Sequence, residues 1–165
     1  MRYQVVVLAS EIGDAIEIES FSWKRFPSPE DQGTFNDLKI YLGLCESDEL
    51  GLNFDDNYIE GTRTLVMSAS SYTTETVPVG EWFDVVLDTP YWYNWQDNLI
   101  IEVEWSSGEG SLYAYAWNGG PNRYIFAPYG SSTAPGADVK VPHLLINGAL
   151  ELSNSTFGQI KASFR

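Results

Sequence analysis

The chain has 165 residues, with 23 acidic and 9 basic side chains and a net charge of −14. Such a surface repels phosphate backbones, and Lys24, Lys39, Lys140 and Lys161 are too scattered to form a basic stripe, which argues against nucleic acid or anionic lipid as partners. Hydrophobic residues make up 44% and aromatic residues 15%, so the chain has the material for a large core and is not of a disordered composition.

The segment 1–10, MRYQVVVLAS, opens with a Val-rich strand signal over Tyr3–Ser10. Its apolar run, Val5 to Ala9, is far shorter than the ~20 residues of a membrane span, and it lacks the long apolar core of a signal peptide. Ala15–Phe26 alternates with a change of parity: Ile16 and Ile18 lie on one face, Phe21 and Trp23 on the other, which predicts a β-bulge between them. After the PSPEDQG loop, Thr34–Cys45 places Leu38, Ile40, Leu42 and Leu44 on one face.

Glu46–Gly61 breaks the strand pattern. ESDEL predicts one short helical turn near 47–51, with Ser47 as N-cap and Asp48 and Glu49 in the first turn. Strand signals resume at Arg63–Ala69, with Leu65, Met67 and Ala69 inward, and at Trp82–Asp88, with Phe83, Val85 and Leu87 inward.

The clearest period-2 pattern is Asn98–Trp105. Leu99, Ile101, Val103 and Trp105 take one face and Glu102 and Glu104 the other, as in a strand between core and solvent. The SSGEG segment reads as a hairpin connection from this strand to Ser111–Trp117. Further strand signals cover Arg123–Ala127, Val141–Leu150 and Phe157–Phe164.

About nine or ten short strands separated by Gly/Pro/Asn/Asp loops, with no long amphipathic helix, predict an all-β protein: a single antiparallel β-sandwich over 1–165, jelly-roll-like in topology. The terminal strands Tyr3–Ser10 and Phe157–Phe164 are expected to be edges open to pairing with a second copy, with ordinary pairing inside the chain as the alternative.

The phrases LASEIG at 8–13, TFNDLKIYLG at 34–43, LNFDDNYIEGTRTLV at 52–66 and EWFDVVLDTPYWYNWQDNLIIEVEW at 81–105 together resemble a β-sandwich module. Modules of this kind occur in large secreted, adhesin-like cell-surface proteins of bacteria, beside carboxy-terminal sorting segments. The resemblance covers roughly residues 8 to 147. It implies an extracellular or cell-surface, non-catalytic module for display, adhesion or assembly, with no catalytic residues to carry over. The chain departs from the pattern at Trp95, where glycine is expected in the tight turn before Gln96-Asp97-Asn98.

Three kinds of chemistry have candidate residues. For catalysis, His143 is the sole histidine and reads as a structural strand residue, and no metalloprotease, phosphate-loop or CxxC motif is present. Glu102 and Glu104 are spaced at the ~6.5–7 Å of two strand residues, within the range of an inverting glycosidase pair, but alternating glutamates ordinarily form a solvated face. Cys45, the single cysteine, reads as a small buried hydrophobe, and one cysteine forms no intrachain disulfide.

For a cation, Asp55, Asp56, Asn57 and Glu60 lie in one loop, with the Tyr58 and Ile59 carbonyls beside them and Asp48 and Glu49 within reach if the loop folds back. Oxygen-rich loops of this kind suit Ca²⁺, although the same residues build ordinary turns. For a glycan or protein partner, Tyr91, Trp92, Tyr93 and Trp95 form an aromatic loop, joined by Trp117 and, if their strand faces outward, by Tyr113 and Tyr115. Aromatic faces stack on the C–H faces of sugars, and Asn94, Gln96 and Asn118 offer hydrogen bonds to hydroxyls. The residues therefore lead to a structural or adhesive module that assembles with protein, or alternatively to a carbohydrate-binding module built on the loop 91–95.

Overall fold

A computed structural model describes residues 1–150 apart from Ser111 and Pro121. The strand expected at Phe157–Phe164 lies outside the described residues. Among them the chain forms twelve strands: β1 (Arg2–Val7), β2 (Ile16–Lys24), β3 (Thr34–Cys45), β4 (Thr64–Thr73), β5 (Trp82–Tyr93), β6 (Asn98–Glu104), β7 (Ser107–Glu109), β8 (Ala116–Asn118), β9 (Tyr124–Ala127), β10 (Ala137–Asp138), β11 (Lys140–Pro142) and β12 (Leu144–Leu150). One helical turn, α1 (Ala9–Ile12), closes at Gly13 in the left-handed conformation (φ 84°). A 3₁₀ turn covers Asp55–Asn57. No helix among the described residues is long and apolar enough to cross a membrane.

Every strand pairing is antiparallel. The larger sheet runs β10-β9-β1-β6-β3-β4, with β7 also paired to β3, and the smaller runs β12-β2-β5. The chain crosses between the two sheets from β1 to β2 to β3 and again from β4 to β5 to β6, which gives the sandwich its jelly-roll-like character. A two-stranded ribbon, β11-β8, stands beside them.

Alternation explains the core between the sheets. Val5 and Val7 of β1, Leu38, Ile40 and Leu42 of β3, and Leu99, Ile101 and Val103 of β6 face Ile18, Phe21 and Trp23 of β2 and Phe83, Val85 and Leu87 of β5. The predicted bulge is present: the β2–β5 register shifts between Ile18 and Ser20. The Asp88-Thr89-Pro90 stretch of β5 is exposed at this irregularity, and the odd positions Tyr91 and Tyr93 beyond it again turn inward.

Five expectations are corrected. First, β6 is not half solvated: all seven of its residues are buried. It is a central strand whose outer face is roofed by a second apolar cluster, Val6, Cys45, Leu50, Phe54, Ile100 and Ile125 among its members. Second, β1 is not an edge. It pairs with β6 through Arg2↔Glu104 to Val7↔Leu99 and with β9 through Arg2↔Ala127 to Val5↔Tyr124, so both its hydrogen-bonding edges are used.

Third, no hairpin links β6 to residues 111–117. Ser107–Glu109 turns back to pair with Thr34–Asn36 of β3, and the segment that follows reaches strand geometry only at Ala116–Asn118, against β11. Fourth, residues 47–51 form bends instead of a helical turn; the Ser47 hydroxyl accepts the Glu49 N–H at 3.1 Å, a local turn that satisfies the donor without a helix. Fifth, within β4 the inward pair is Val66 and Met67, and Leu65 is exposed, because the β3–β4 register shifts between Ile40 and Tyr41.

Candidate functional site

The turn after β5 is built by its polar residues. The Asn94 side-chain oxygen accepts the Gln96 N–H at 3.0 Å and the Asp97 N–H at 3.4 Å, and its amide donates to Asp97 Oδ2 at 3.0 Å. This draws Trp95 into the left-handed region at φ 57°, the conformation for which glycine was expected. Its indole N–H donates to the Ala9 carbonyl at 3.2 Å, and the ring is 50% exposed.

The other aromatic candidates part company. Tyr93 is fully buried, with its hydroxyl donating to the Asp97 carbonyl at 2.7 Å, and burial followed by the Asp97 charge pushes its phenol up to about 12. Tyr91 is half-buried on the same inward parity, so neither ring belongs to an exposed platform. Trp92 points outward opposite Glu17 and is 47% exposed. Trp117, on β8, is 48% exposed. It lines a cleft of about 490 Å³ together with Glu11 and Ile12 of α1 and Val141, Leu144 and Ile146 of the facing strands.

Trp95 thus touches the first residue of α1, and Trp117 shares a cleft with its last two. Arg123 pins this turn: its guanidinium donates to both Glu11 carboxylate oxygens and to the Val6 carbonyl. Of the remaining aromatics, Tyr113 is exposed, while Tyr115 packs against Phe26 and His143 at ring distances of 5.0 and 5.9 Å.

The acidic loop serves the outer face of the larger sheet. Asp55 Oδ1 accepts from Arg2 at 3.0 Å, and Asp56 Oδ2 accepts from the Asn53 amide at 2.7 Å. Asn57 is a spacer: its oxygen takes the Gly51 N–H at 2.7 Å and its amide donates to Gln4 Oε1 at 2.9 Å. Glu60 is exposed in the turn that follows. Among the described residues no three His, Cys, Asp or Glu side chains gather as a metal cluster, and Asp55, Asp56 and Asn57 each bond to protein donors. No cation is proposed there.

What the loop covers is Glu102, which is wholly buried. Four donors meet its carboxylate: Arg2 Nε at 3.0 Å and an Arg63 nitrogen at 2.7 Å on Oε1, and the Gln4 amide at 2.6 Å and the Tyr58 hydroxyl at 3.0 Å on Oε2. Arg2 lies over the Phe54 ring at 4.4 Å and Arg63 over the Tyr41 ring at 3.7 Å. Burial, then the Glu102 charge, holds the Tyr58 phenol well above its ordinary value. Gly43 makes room for that ring, since a Cβ there would lie 2.4 Å from Tyr58 Cδ1.

Glu104 is also buried, accepting from Tyr41 at 3.3 Å and lying 3.6 Å from Lys39. The pair considered for sugar hydrolysis is therefore enclosed in ion pairs, not facing an open cleft. Sequence patterning missed this network because glutamates alternating on a strand look the same under a roof as in water. The complementary alternation of Arg2 and Gln4 in β1 was its only trace. Cys45 is buried as expected; its thiol donates to the Ser47 carbonyl at 3.2 Å, and burial pushes it up.

A second concavity escaped the sequence altogether. Between the sheets, at the end away from the Trp95 turn, lies a cleft of about 420 Å³ lined by Tyr3, Trp23, Phe35, Phe83, Trp105 and Tyr124, among others. These rings come from six strands or strand ends and are brought together only by the crossing connections.

Comparison with protein-family models, with curated proteins and with solved structures found no match to this chain. The fold itself defines the class: an antiparallel β-sandwich with a roofed outer sheet face.

Proposed function

We propose that this chain is a non-catalytic, extracellular structural or adhesive module that meets a protein partner through the tryptophans around α1. The observation that carries the reading is the pair Trp95 and Trp117, each about half exposed, on either side of a helical turn fixed by Arg123. Tryptophans held on a rigid surface are favoured anchors of protein interfaces, because they bury a large area for little lost side-chain freedom. The phrases at 8–13, 34–43, 52–66 and 81–105 support the cell-surface setting by resemblance. Self-assembly by strand addition to β1 is not part of the proposal, since β1 is paired on both sides.

Sedimentation of the chain over a concentration series, alone and mixed with neighbouring modules of the same surface protein, tests the reading. Association weakened by Trp95→Ala and Trp117→Ala supports it. Association indifferent to both, or none with either partner, removes it.

A second reading, a carbohydrate-binding module, rests on the exposed rings of Trp92 and Trp95, with the exposed Gln96 next to Trp95 in the turn. Affinity-gel or glycan-array retention abolished by Trp92→Ala and Trp95→Ala is its signature.

A further inference from the structure

We infer that the cleft between the sheets is a binding site for a small, uncharged ring compound carrying a hydrogen-bond acceptor. Its volume, about 420 Å³, is that of a small-molecule site and far beyond an ordinary packing defect. Core side chains away from this cleft are closed to solvent. Ile18, Phe21, Leu42, Leu99 and Ile101 are fully buried. At this end of the sandwich, aromatic rings stand in place of interlocking aliphatic chains.

The two walls present ring surfaces to one another. On the smaller sheet Trp23 and Phe83 stack with centroids 6.0 Å apart and planes inclined by 19°. On the larger, Trp105 meets Tyr3 and Phe35 edge-on, at 6.2 and 5.2 Å, and Tyr3 leans on Tyr124 at 5.5 Å. Facing sheets lie about 10 Å apart, and rings on both walls fill part of that gap, so neither a partner helix nor a strand fits between them. A flat ring does, offering its faces and edges to both walls.

The polar groups at the cleft set the acceptor. The Tyr3 hydroxyl and the Trp23 indole N–H make no hydrogen bond to the described residues, and neither atom is sealed from the cleft that the two rings line. Both are left open to meet an acceptor on a ligand in the cleft. Burial, then the neighbouring Tyr124, holds the Tyr3 phenol above its ordinary value, so it stays a neutral donor across the physiological range. These neutral donors suit a carbonyl or ether on the ligand, and although Lys140 also lines the cleft, the predominance of aromatic and aliphatic side chains there favours an uncharged ring.

The test is titration of the chain with Prodan, an uncharged naphthalene ketone whose emission shifts to the blue in apolar surroundings. Saturable one-to-one binding with that shift is expected. Val103→Phe and Ala114→Phe, two independent substitutions that push a ring into the cleft, should each abolish it while near-ultraviolet circular dichroism shows a folded protein. Tyr3→Phe should weaken binding by up to about tenfold, the value of one hydrogen bond. Trp92→Ala and Trp95→Ala should leave it unchanged, which separates this site from the surface proposed above. Absence of saturable binding overturns the inference. So does binding that survives in either filled variant, or that is lost with Trp92 or Trp95.

Discussion

Arg2 Nε donates to Glu102 Oε1 at 3.0 Å, joining residues 100 apart in sequence across the β1–β6 pair. The bond is one of four on a carboxylate with no exposure to water. The desolvation of such a group is offset only while its partners are in place. Glu102→Gln leaves Arg2 and Arg63 without their shared counter-charge and sets an amide against the Gln4 and Tyr58 donors. The variant should lose about 3 kcal/mol of stability, read as a lower urea midpoint with an unchanged denaturant slope.

The turn at Trp95 makes a different prediction. A side chain at φ 57° carries a left-handed cost that glycine does not, and a β-branched residue carries more. Trp95→Gly should keep stability within about 1 kcal/mol of the parent, because relief of the backbone offsets the lost bond to Ala9 and the greater freedom of the unfolded chain. Trp95→Val should lose more than about 1 kcal/mol. Thermal unfolding of the two variants decides it; equal losses would contradict the backbone argument.

Glu11 gives an acid-side test. Burial raises the pKa of its carboxyl, but the Arg123 hydrogen bonds and charge outweigh burial, and the folded-state value lies below the ordinary one. The contact therefore contributes stability above the usual glutamate range of about pH 4.3 and loses it as pH falls through the lower folded value. Glu11→Gln should be less stable than the parent near neutrality, by about 1 kcal/mol for a partly exposed pair, with the difference closing in acid. A difference that persists at about pH 2 would show that packing, not charge, is responsible.

Buried phenols act at the other end of the scale. Burial is the leading cause that pushes both Tyr93 and Tyr124 up to about 12. A raised folded value means that the neutral forms contribute stability fully below the ordinary tyrosine pKa of about 10, lost as pH rises through the folded value. Ultraviolet titration should show part of the 10 tyrosines resisting ionisation at about pH 11 and then ionising together with loss of near-ultraviolet circular dichroism.

How much of this was legible in the sequence depends on how local its cause is. Thr34–Cys45 was bounded to the residue, because its inward leucines and isoleucine alternate without interruption between two turn-rich segments. The β2 bulge showed as a parity change, and the φ of Trp95 as a departure from glycine. The outer roof did not show, since nothing in Asn98–Trp105 states what lies over it. Glu102 reads as solvated until Arg2, Gln4, Tyr58 and Arg63 are brought to it from three other segments. The inter-sheet cleft was invisible for the same reason. Each of its rings is an ordinary inward aromatic, and only the sheet-to-sheet crossings set them facing one another.

The central place of β1 sets an order on how the fold is made. Its six residues are made before the strands that flank it, since β6 begins at Asn98 and β9 at Tyr124. Until then the strand that becomes the middle of the larger sheet has both edges bare and the run Val5–Val7 unburied. Sheets closed by pairings so distant in sequence form slowly, because loop closure is paid before contacts repay it. The fold is thus expected to close late, and to depend during synthesis on keeping β1 from pairing with another copy of itself.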